Sequence, residues 1–170
     1  AKLSGYLINE TVLSARLCWE RSFKTPYEVA CLSKANEIAA IGHKRAKELF
    51  LEGASERQVH LGYLLATSSL ESELPYTTIV GLNEKGAVLH YQEKRANVDS
   101  GHSLLIDAGV TCNGYASDIS RTYTSLKANP VYSSMVIEWT KAKSNFVSRL
   151  KLAKIFRIFT AKQMKWSGKS

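Results

Sequence analysis

Two aspartates lie in a stretch that otherwise has the alternation of two β-strands joined by a tight turn. The stretch is IDAGVTCNGYASDISRTY, residues 106–123, with Asp107 in its first half and Asp118 in its second. Two carboxylates buried close together are costly unless a positive charge lies between them. Carboxylate oxygens suit Mn²⁺, Mg²⁺ or Ca²⁺, and also Zn²⁺ or Co²⁺ where an imidazole joins them. The residues therefore suggest a divalent metal site.

The turn of this hairpin decides how the two carboxylates face each other. If residues 112–113 form a two-residue loop, Asp107 lies directly opposite Asp118. If residues 113–114 form it, Asp107 pairs with Ser120, and the aspartates are diagonal neighbours on one face, within about 8 Å by backbone. Both registers bring the two side chains together. The alternative to a metal site is a solvent-facing hairpin with two ordinary surface aspartates.

Two helices are predicted before this hairpin, and a capping box marks the start of each. TPYE at residues 25–28 places a capping threonine before a proline and a glutamate, and SERQ at residues 55–58 repeats the pattern. Gly53 is a natural stop for the first helix. An amphipathic stretch at residues 10–19 precedes both, without a clear cap.

The hydrophobic period changes after these helices. TTIVGL, NEKG and AVLHY read as strand, turn and strand, and SLLIDAG with GYASDISRTYT reads as a second hairpin closed around residues 112–114. Two helices followed by two hairpins predict an α+β fold in which helices cover one face of an antiparallel sheet.

Composition excludes several classes of protein and locates the charge. The net charge is +8, but residues 140–170 contain nine Lys or Arg and no Asp or Glu, so the preceding part carries −1. That near-neutral part gives no reason to expect nucleic acid. No apolar run is long enough for a spanning helix, and the start does not resemble a signal peptide. Without a spanning segment, no membrane partner is expected. The three widely spaced cysteines suggest reduced thiols, so we expect a cytoplasmic protein.

Three motifs resemble one known family. LLIDAGVTCNGYASDISRTYT is similar to the first metal-binding hairpin of the pita-bread metallopeptidases, and within that family to the bacterial Xaa-Pro dipeptidases (prolidases). TTIVGLNEKGAVLHY resembles their preceding hairpin, and KTPYEVACLSKANEIAAIGH resembles the helix that opens their catalytic domain. The resemblance spans about residues 18–138. It implies the first half of a pita-bread (creatinase/aminopeptidase-like) fold.

The resemblance also implies a chemistry. It implies two divalent metal ions, Mn²⁺ being expected and Co²⁺ or Zn²⁺ possible, held by five protein ligands of which Asp107 and Asp118 are the first two. A metal-bridging hydroxide would then hydrolyse a dipeptide whose C-terminal residue is proline. His90 corresponds to a catalytic histidine near the substrate, and Tyr91 and Arg121 to supporting positions. An intact homologue is expected to be a homodimer.

Other histidines and other functions complete the expectations. His43, His60 and His102 match no catalytic position and are expected on helix surfaces or in loops.

An Xaa-Pro aminopeptidase shares the aspartate hairpin and is the nearest alternative activity. A binding module derived from the same fold, or a plain α+β domain without metal, are alternatives of a different class.

The chain also departs from the family pattern. The family's remaining ligands, one His and two Glu, lie beyond the hairpin, whereas here no histidine follows His102 and the only later carboxylate is Glu138. We therefore expect residues 1–24 to be a remnant of an N-terminal domain and linker, residues 25–138 a partial catalytic domain, and residues 139–170 a divergent basic tail. Such a truncated product, with its reading frame lost near Lys141, is expected to be inactive alone. The alternative for the tail is a basic amphipathic helix that binds a membrane surface or a partner.

Overall fold

In the computed structural model, which describes residues 11–97 and 101–149, a short helix precedes the two capped helices expected from the sequence. This helix, α1 (Thr11–Glu20), coincides with the expected amphipathic stretch, and none of its residues is buried. The tail beyond residue 149 lies outside the described residues.

Both capping boxes are confirmed. At the start of α2 (Pro26–Leu51), the Thr25 hydroxyl accepts from the backbone N–H of Glu28, whose carboxylate accepts from the Thr25 N–H at 2.6 Å. The same reciprocal pair joins Ser55 and Gln58 at the start of α3 (Glu56–Thr67), with distances of 2.9 and 3.3 Å. These pairs satisfy backbone donors that a helix start leaves without partners, so local sequence alone fixes both starts.

The strands form an antiparallel sheet and a short ribbon. Their bounds are β1 (Ile79–Leu82), β2 (Ser103–Ala108), β3 (Thr111–Cys112), β4 (Tyr115–Ala116) and β5 (Ile119–Thr124). The sheet has the order β1-β2-β5, and β3 pairs with β4 in the ribbon that continues the β2–β5 hairpin.

The core lies between one face of this sheet and the helices α2 and α3. Along β2, alternate residues are buried towards the helices, whereas Leu105 and Asp107 are only half-buried. Because side chains alternate across a strand, Asp107 lies on the sheet face away from the helices. The buried cluster consists of Ala39, Ala46, Phe50, Val59, Tyr63, Val80, Leu82, Leu104, Ile106, Ala108 and Val110. The predicted packing of helices on an antiparallel sheet is thereby confirmed.

The first predicted hairpin is wrong, because residues 87–91 form no strand. Residues 83–87 instead make a 3₁₀ turn, and β1 pairs with β2. The turn folds back onto Gly81, where an added Cβ would lie 2.8 Å from the Lys85 carbonyl oxygen. Asn83 adopts a positive φ of 56°, and its side chain accepts from the backbone N–H of His102 at 2.8 Å. This contact brings the start of β2, and not AVLHY, alongside β1.

The last helix, α4 (Pro130–Arg149), runs without interruption across the boundary expected between residues 138 and 139. None of its residues is buried. Among the described residues, no helix combines the length and the apolar character that crossing a membrane requires.

Candidate metal centre

The hairpin that carries the two aspartates has the second of the two predicted registers. Asp107 is paired with Ser120, and the ribbon closes at Asn113 and Gly114, whose φ values are 50° and 81°. Positive φ at both central residues is the condition of a type I′ turn, which Asn-Gly favours. Asp107 and Asp118 are therefore diagonal neighbours on one face.

Between Asp107 and Asp118 a serine side chain takes part in the hydrogen bonding of the two strands, but the residue pairing stays the same on both sides. At this point Ser117 donates its backbone N–H to the carbonyl oxygen of Val110 at 2.9 Å, and its hydroxyl accepts from the Val110 N–H at the same distance. Gly109 lies against this serine so closely that an added Cβ would overlap the Ser117 carbonyl oxygen. A residue without a side chain is required here, because the two strands approach one another at this position.

The two carboxylates converge on a third residue, Tyr76, which lies just before β1. Its hydroxyl oxygen is 2.8 Å from Oδ1 of Asp107 and 3.1 Å from Oδ1 of Asp118. Both Oδ1 atoms therefore lie within hydrogen-bonding distance of one oxygen atom, which brings the two carboxylates close together. Asp107 is half-buried and Asp118 is exposed, so the pair is open to solvent on one side.

The Tyr76 hydroxyl is a hydrogen-bond donor to this pair. Burial of the ring, and then the hydrogen bonds and negative charges of Asp107 and Asp118, raise the pKa of the phenol far above its usual value of 10.0. The hydroxyl therefore keeps its proton at neutral pH. One hydroxyl carries one proton, so it can donate fully to only one carboxylate at a time.

The donor set fits a divalent cation as part of a larger ligand set. Two carboxylates on one face supply hard oxygen ligands of the kind that Mn²⁺ and Mg²⁺ prefer. Their Oδ2 atoms accept no hydrogen bond from the part of the chain that the structure describes. Within that part, no group of three or more His, Cys, Asp or Glu residues could hold a metal ion. The described residues thus offer a cation these two carboxylates without a third His, Cys, Asp or Glu beside them.

The other predicted site residues lie away from the pair. His90 is exposed and adopts a positive φ of 53°, and Arg121 opposes Ile106 in the sheet, so its backbone position belongs to the opposite face from Asp107. Tyr91 is buried and donates its hydroxyl to Oε2 of Glu56 at 2.9 Å. Among the described residues, no hydrogen bond or ion pair joins these three side chains to the pair, and their roles at the site stay predictions.

A second cluster surrounds Glu56, whose side chain is fully buried at the first position of α3. Its carboxylate accepts from the Leu82 N–H at 3.0 Å, from the Arg95 N–H at 2.8 Å and from the Arg95 guanidinium at 2.7 Å, besides Tyr91. Burial alone would raise the pKa of Glu56, but these hydrogen bonds outweigh it and hold the pKa below its usual value. Glu56 therefore ties α3, the end of β1 and the segment that carries His90 together.

Two of the remaining histidines are not on the surface, so that expectation is wrong for them. His43 and His60 are both 4% exposed, whereas His102 lies in an exposed loop as expected. Nε2 of His43 is 3.1 Å from the carbonyl oxygen of Ala108, so this nitrogen carries the proton and donates. Burial lowers the pKa of both buried imidazoles. Strand β2 covers His43, and Glu71 lies beside His60 with 3.5 Å between its Oε1 and the imidazole Nε2. A helical pattern alone does not reveal which face of a helix is covered.

Sequence reasoning missed Tyr76, Glu56 and Arg95. Tyr76 lies 31 residues from Asp107 in the chain and its type gives no metal-ligand signal. Glu56 lies in the first turn of a helix, where an acidic residue is ordinary, so its type gives no sign of the buried cluster. Tyr76 precedes β1, and only the pairing of β1 with β2 brings it to the aspartates, so the sequence carries no local signal for it.

Comparison with known sequences places most of the chain in one family. The model of the family described as "Metallopeptidase family M24" matches residues 30–148. An Xaa-Pro dipeptidase from Shewanella amazonensis is 49% identical over 106 residues, which are 62% of this chain and 24% of that protein. An Xaa-Pro dipeptidase from Shewanella woodyi is 42% identical over 144 residues, 84% of this chain and 32% of that protein. The chain thus spans about a quarter to a third of the curated relatives it matches.

Solved structures give the same picture of the fold. Proline aminopeptidase P II from Yersinia pestis superposes with a TM-score of 0.57 at 38% identity, over 65% of this chain and 26% of that one. The architecture is therefore part of a pita-bread fold, and the fold class predicted from the sequence is confirmed.

Proposed function

The chain belongs to metallopeptidase family M24, and from that premise we propose that it contributes the first two ligands to the dinuclear metal centre of an Xaa-Pro dipeptidase. The relatives named Xaa-Pro dipeptidase support this activity over others in the family. The substrates would be dipeptides whose C-terminal residue is proline.

One observation carries the proposal. Two acidic side chains from paired strands point to one face and approach the same hydroxyl oxygen within 2.8 and 3.1 Å. Two surface aspartates with unrelated roles would not be expected to lie this close together, since neighbouring like charges destabilise each other. A cation between them removes that repulsion, which is why the arrangement favours Asp107 and Asp118 as metal ligands.

The bound metal ions would activate a water molecule as the nucleophile and polarise the carbonyl of the scissile bond. The part of this chain is to hold and orient those ions. His90 would donate a hydrogen bond to the substrate, a role supported by its exposure and by the family motif that surrounds it.

The two carboxylates do not complete such a centre. The proposal requires further ligands from outside these 170 residues, because no histidine follows His102 and Glu138 is the only carboxylate after Asp118. Mn²⁺ is the proposed ion, with Co²⁺ and Zn²⁺ as alternatives.

The test is hydrolysis of Gly-Pro and Ala-Pro with added Mn²⁺. We would compare the chain alone with a chimaera that joins it to the segment following the matched region of the Shewanella woodyi relative. We expect no turnover by the chain alone and turnover by the chimaera, which Asp107→Asn and Asp118→Asn abolish. Glu37→Gln, an exposed acid on α2, is the matched control and should leave turnover unchanged.

Two results would contradict the proposal. One is turnover by the chimaera that survives both aspartate substitutions. The other is a chimaera that cleaves the first residue from Xaa-Pro-Xaa tripeptides but not dipeptides. That second result would favour the aminopeptidase alternative, which the similarity to a solved aminopeptidase P structure also supports.

A further inference from the structure

We propose that Tyr76 is a positioning residue that holds the carboxylates of Asp107 and Asp118 on one point, so that a divalent cation meets a preformed pair. This inference rests on the proposed role of the two aspartates as metal ligands. Tyr76 itself would act through them and would not contact the reacting atoms.

The first observation is which carboxylate oxygens the Tyr76 hydroxyl contacts. It approaches only the Oδ1 atom of each aspartate, at 2.8 and 3.1 Å. The two Oδ2 atoms have no hydrogen-bond partner among residues 11–97 and 101–149, so one oxygen of each carboxylate is available to a cation. Hydrogen bonds of this kind to ligand carboxylates fix their orientation and raise metal affinity.

The second step is that the backbone fixes Tyr76 in this place. Ile79 at the start of β1 is paired with Asp107, so the residues before it run alongside the end of β2. Pro75 lies against Gly109, where an added Cβ would be 3.1 Å from the proline Cγ. The tyrosine is therefore held by strand pairing on one side and by ring packing on the other.

The third step is the charge balance of the metal-free pair. Two carboxylates on one face repel each other, and Asp118 is exposed, so its side chain has room to rotate towards solvent. The hydroxyl proton is the positive group that the described contacts place between them. Without it, the cation would have to order both side chains on binding, at a cost in side-chain entropy.

The experiment measures Mn²⁺ binding to the 170-residue chain by electron paramagnetic resonance of the free ion, into the millimolar range. Tyr76→Phe keeps the ring and removes only the hydroxyl, and Tyr132→Phe on α4 is the matched control. We expect the Mn²⁺ Kd to rise about 10-fold or more in Tyr76→Phe, to be unchanged in Tyr132→Phe, and binding to be lost in Asp107→Asn and Asp118→Asn.

A second measurement needs no metal. The side-chain carboxyl ¹³C resonances of Asp107 and Asp118 should shift in Tyr76→Phe and not in Tyr132→Phe. Far-UV circular dichroism and the thermal midpoint confirm that both variants are folded.

The outcomes separate this inference from the proposed function. A Tyr76→Phe Kd within two-fold of wild type, or lower because the hydroxyl competes with the ion, overturns the inference while aspartate-dependent binding stands. Mn²⁺ binding that survives both aspartate substitutions overturns the metal centre and this inference with it. No binding by the wild-type chain overturns the inference that the pair is preformed for a cation, whereas the metal centre itself is then judged by the chimaera.

Discussion

The buried carboxylate of Glu56 offers the sharpest test of how this fold is held together. We consider Glu56→Gln, which keeps the shape of the side chain and replaces one oxygen by an NH₂ group. In the native protein Oε1 accepts three hydrogen bonds and Oε2 accepts two. An amide nitrogen cannot accept, so either orientation of Gln leaves at least the donors of one oxygen facing another donor.

The expected magnitude follows from burial. Glu56 is fully buried and its partner Arg95 is half-buried, and removing one member of a buried ion pair typically costs about 3–5 kcal/mol. This is a large share of the roughly 5–15 kcal/mol that stabilises a domain. We therefore expect Glu56→Gln to lower the free energy of unfolding by about 3–5 kcal/mol, with an unchanged dependence on denaturant.

The assay is urea unfolding followed by circular dichroism, with Glu84→Gln as the matched control. Glu84 makes an ion pair with the same arginine at 3.0 Å but is exposed, so its loss should leave the free energy of unfolding close to wild type. The reasoning is refuted if the two variants lose equal stability, or if Glu56→Gln unfolds within about 1 kcal/mol of wild type.

The pH dependence gives an independent check with a fixed sign. The pKa of Glu56 is lower in the folded than in the unfolded chain, so its stabilisation is present above the ordinary value of 4.5 and is lost as pH falls through the folded pKa. The stability difference between wild type and Glu56→Gln should thus be constant above about pH 5.5 and shrink below about pH 4.5. A difference that grows on acidification would contradict the assignment.

Two further predictions concern the hairpin and the buried histidines. Gly109→Ala should lower the free energy of unfolding by about 2 kcal/mol or more, because its methyl group would overlap the Ser117 carbonyl oxygen. Gly62→Ala should change it by less than about 1 kcal/mol, because its methyl group would meet only the flexible end of the Leu49 side chain on α2. Equal effects of the two substitutions in urea unfolding would contradict this. Burial places the folded pKa of His43 and His60 below 6.5, so the unfolded chain takes up protons first and stability should fall from pH 7.5 to pH 5, by at most about 1.4 kcal/mol per pH unit for each imidazole. His43→Gln should make that slope shallower, and an unchanged slope in unfolding titrations would count against it.

Features set by neighbouring residues could be predicted from the sequence. Both capping boxes and the stop near Gly53 are local, since each needs only residues within one turn of helix. The sequence allows two registers for the aspartate hairpin, and the structure has the one closed by Asn113 and Gly114, two residue types that favour positive φ. The common face of the two acids follows from the strand period alone.

Features set by distant contacts could not be predicted in this way. AVLHY has a strand-like composition, yet the turn over Gly81 and the Asn83 contact to β2 leave it without a strand partner. His43 is buried because β2, which lies later in the chain, packs against its helix, where the imidazole meets the Ala108 carbonyl oxygen. His60 is buried beside Glu71, which likewise follows its helix in the chain. Tyr76 joins the aspartates only once β1 and β2 have paired.

The unbroken register across Gly109 constrains how this hairpin can change length during evolution. Insertion or deletion of one residue on either strand between Asp107 and Asp118 would exchange the faces to which the following side chains point. One of the two aspartates would then lie on the sheet face that packs against the helices. Changes made in matched pairs, one residue in each strand, preserve those faces and only lengthen the ribbon. Indels in this segment are therefore expected in even numbers wherever both acids are retained.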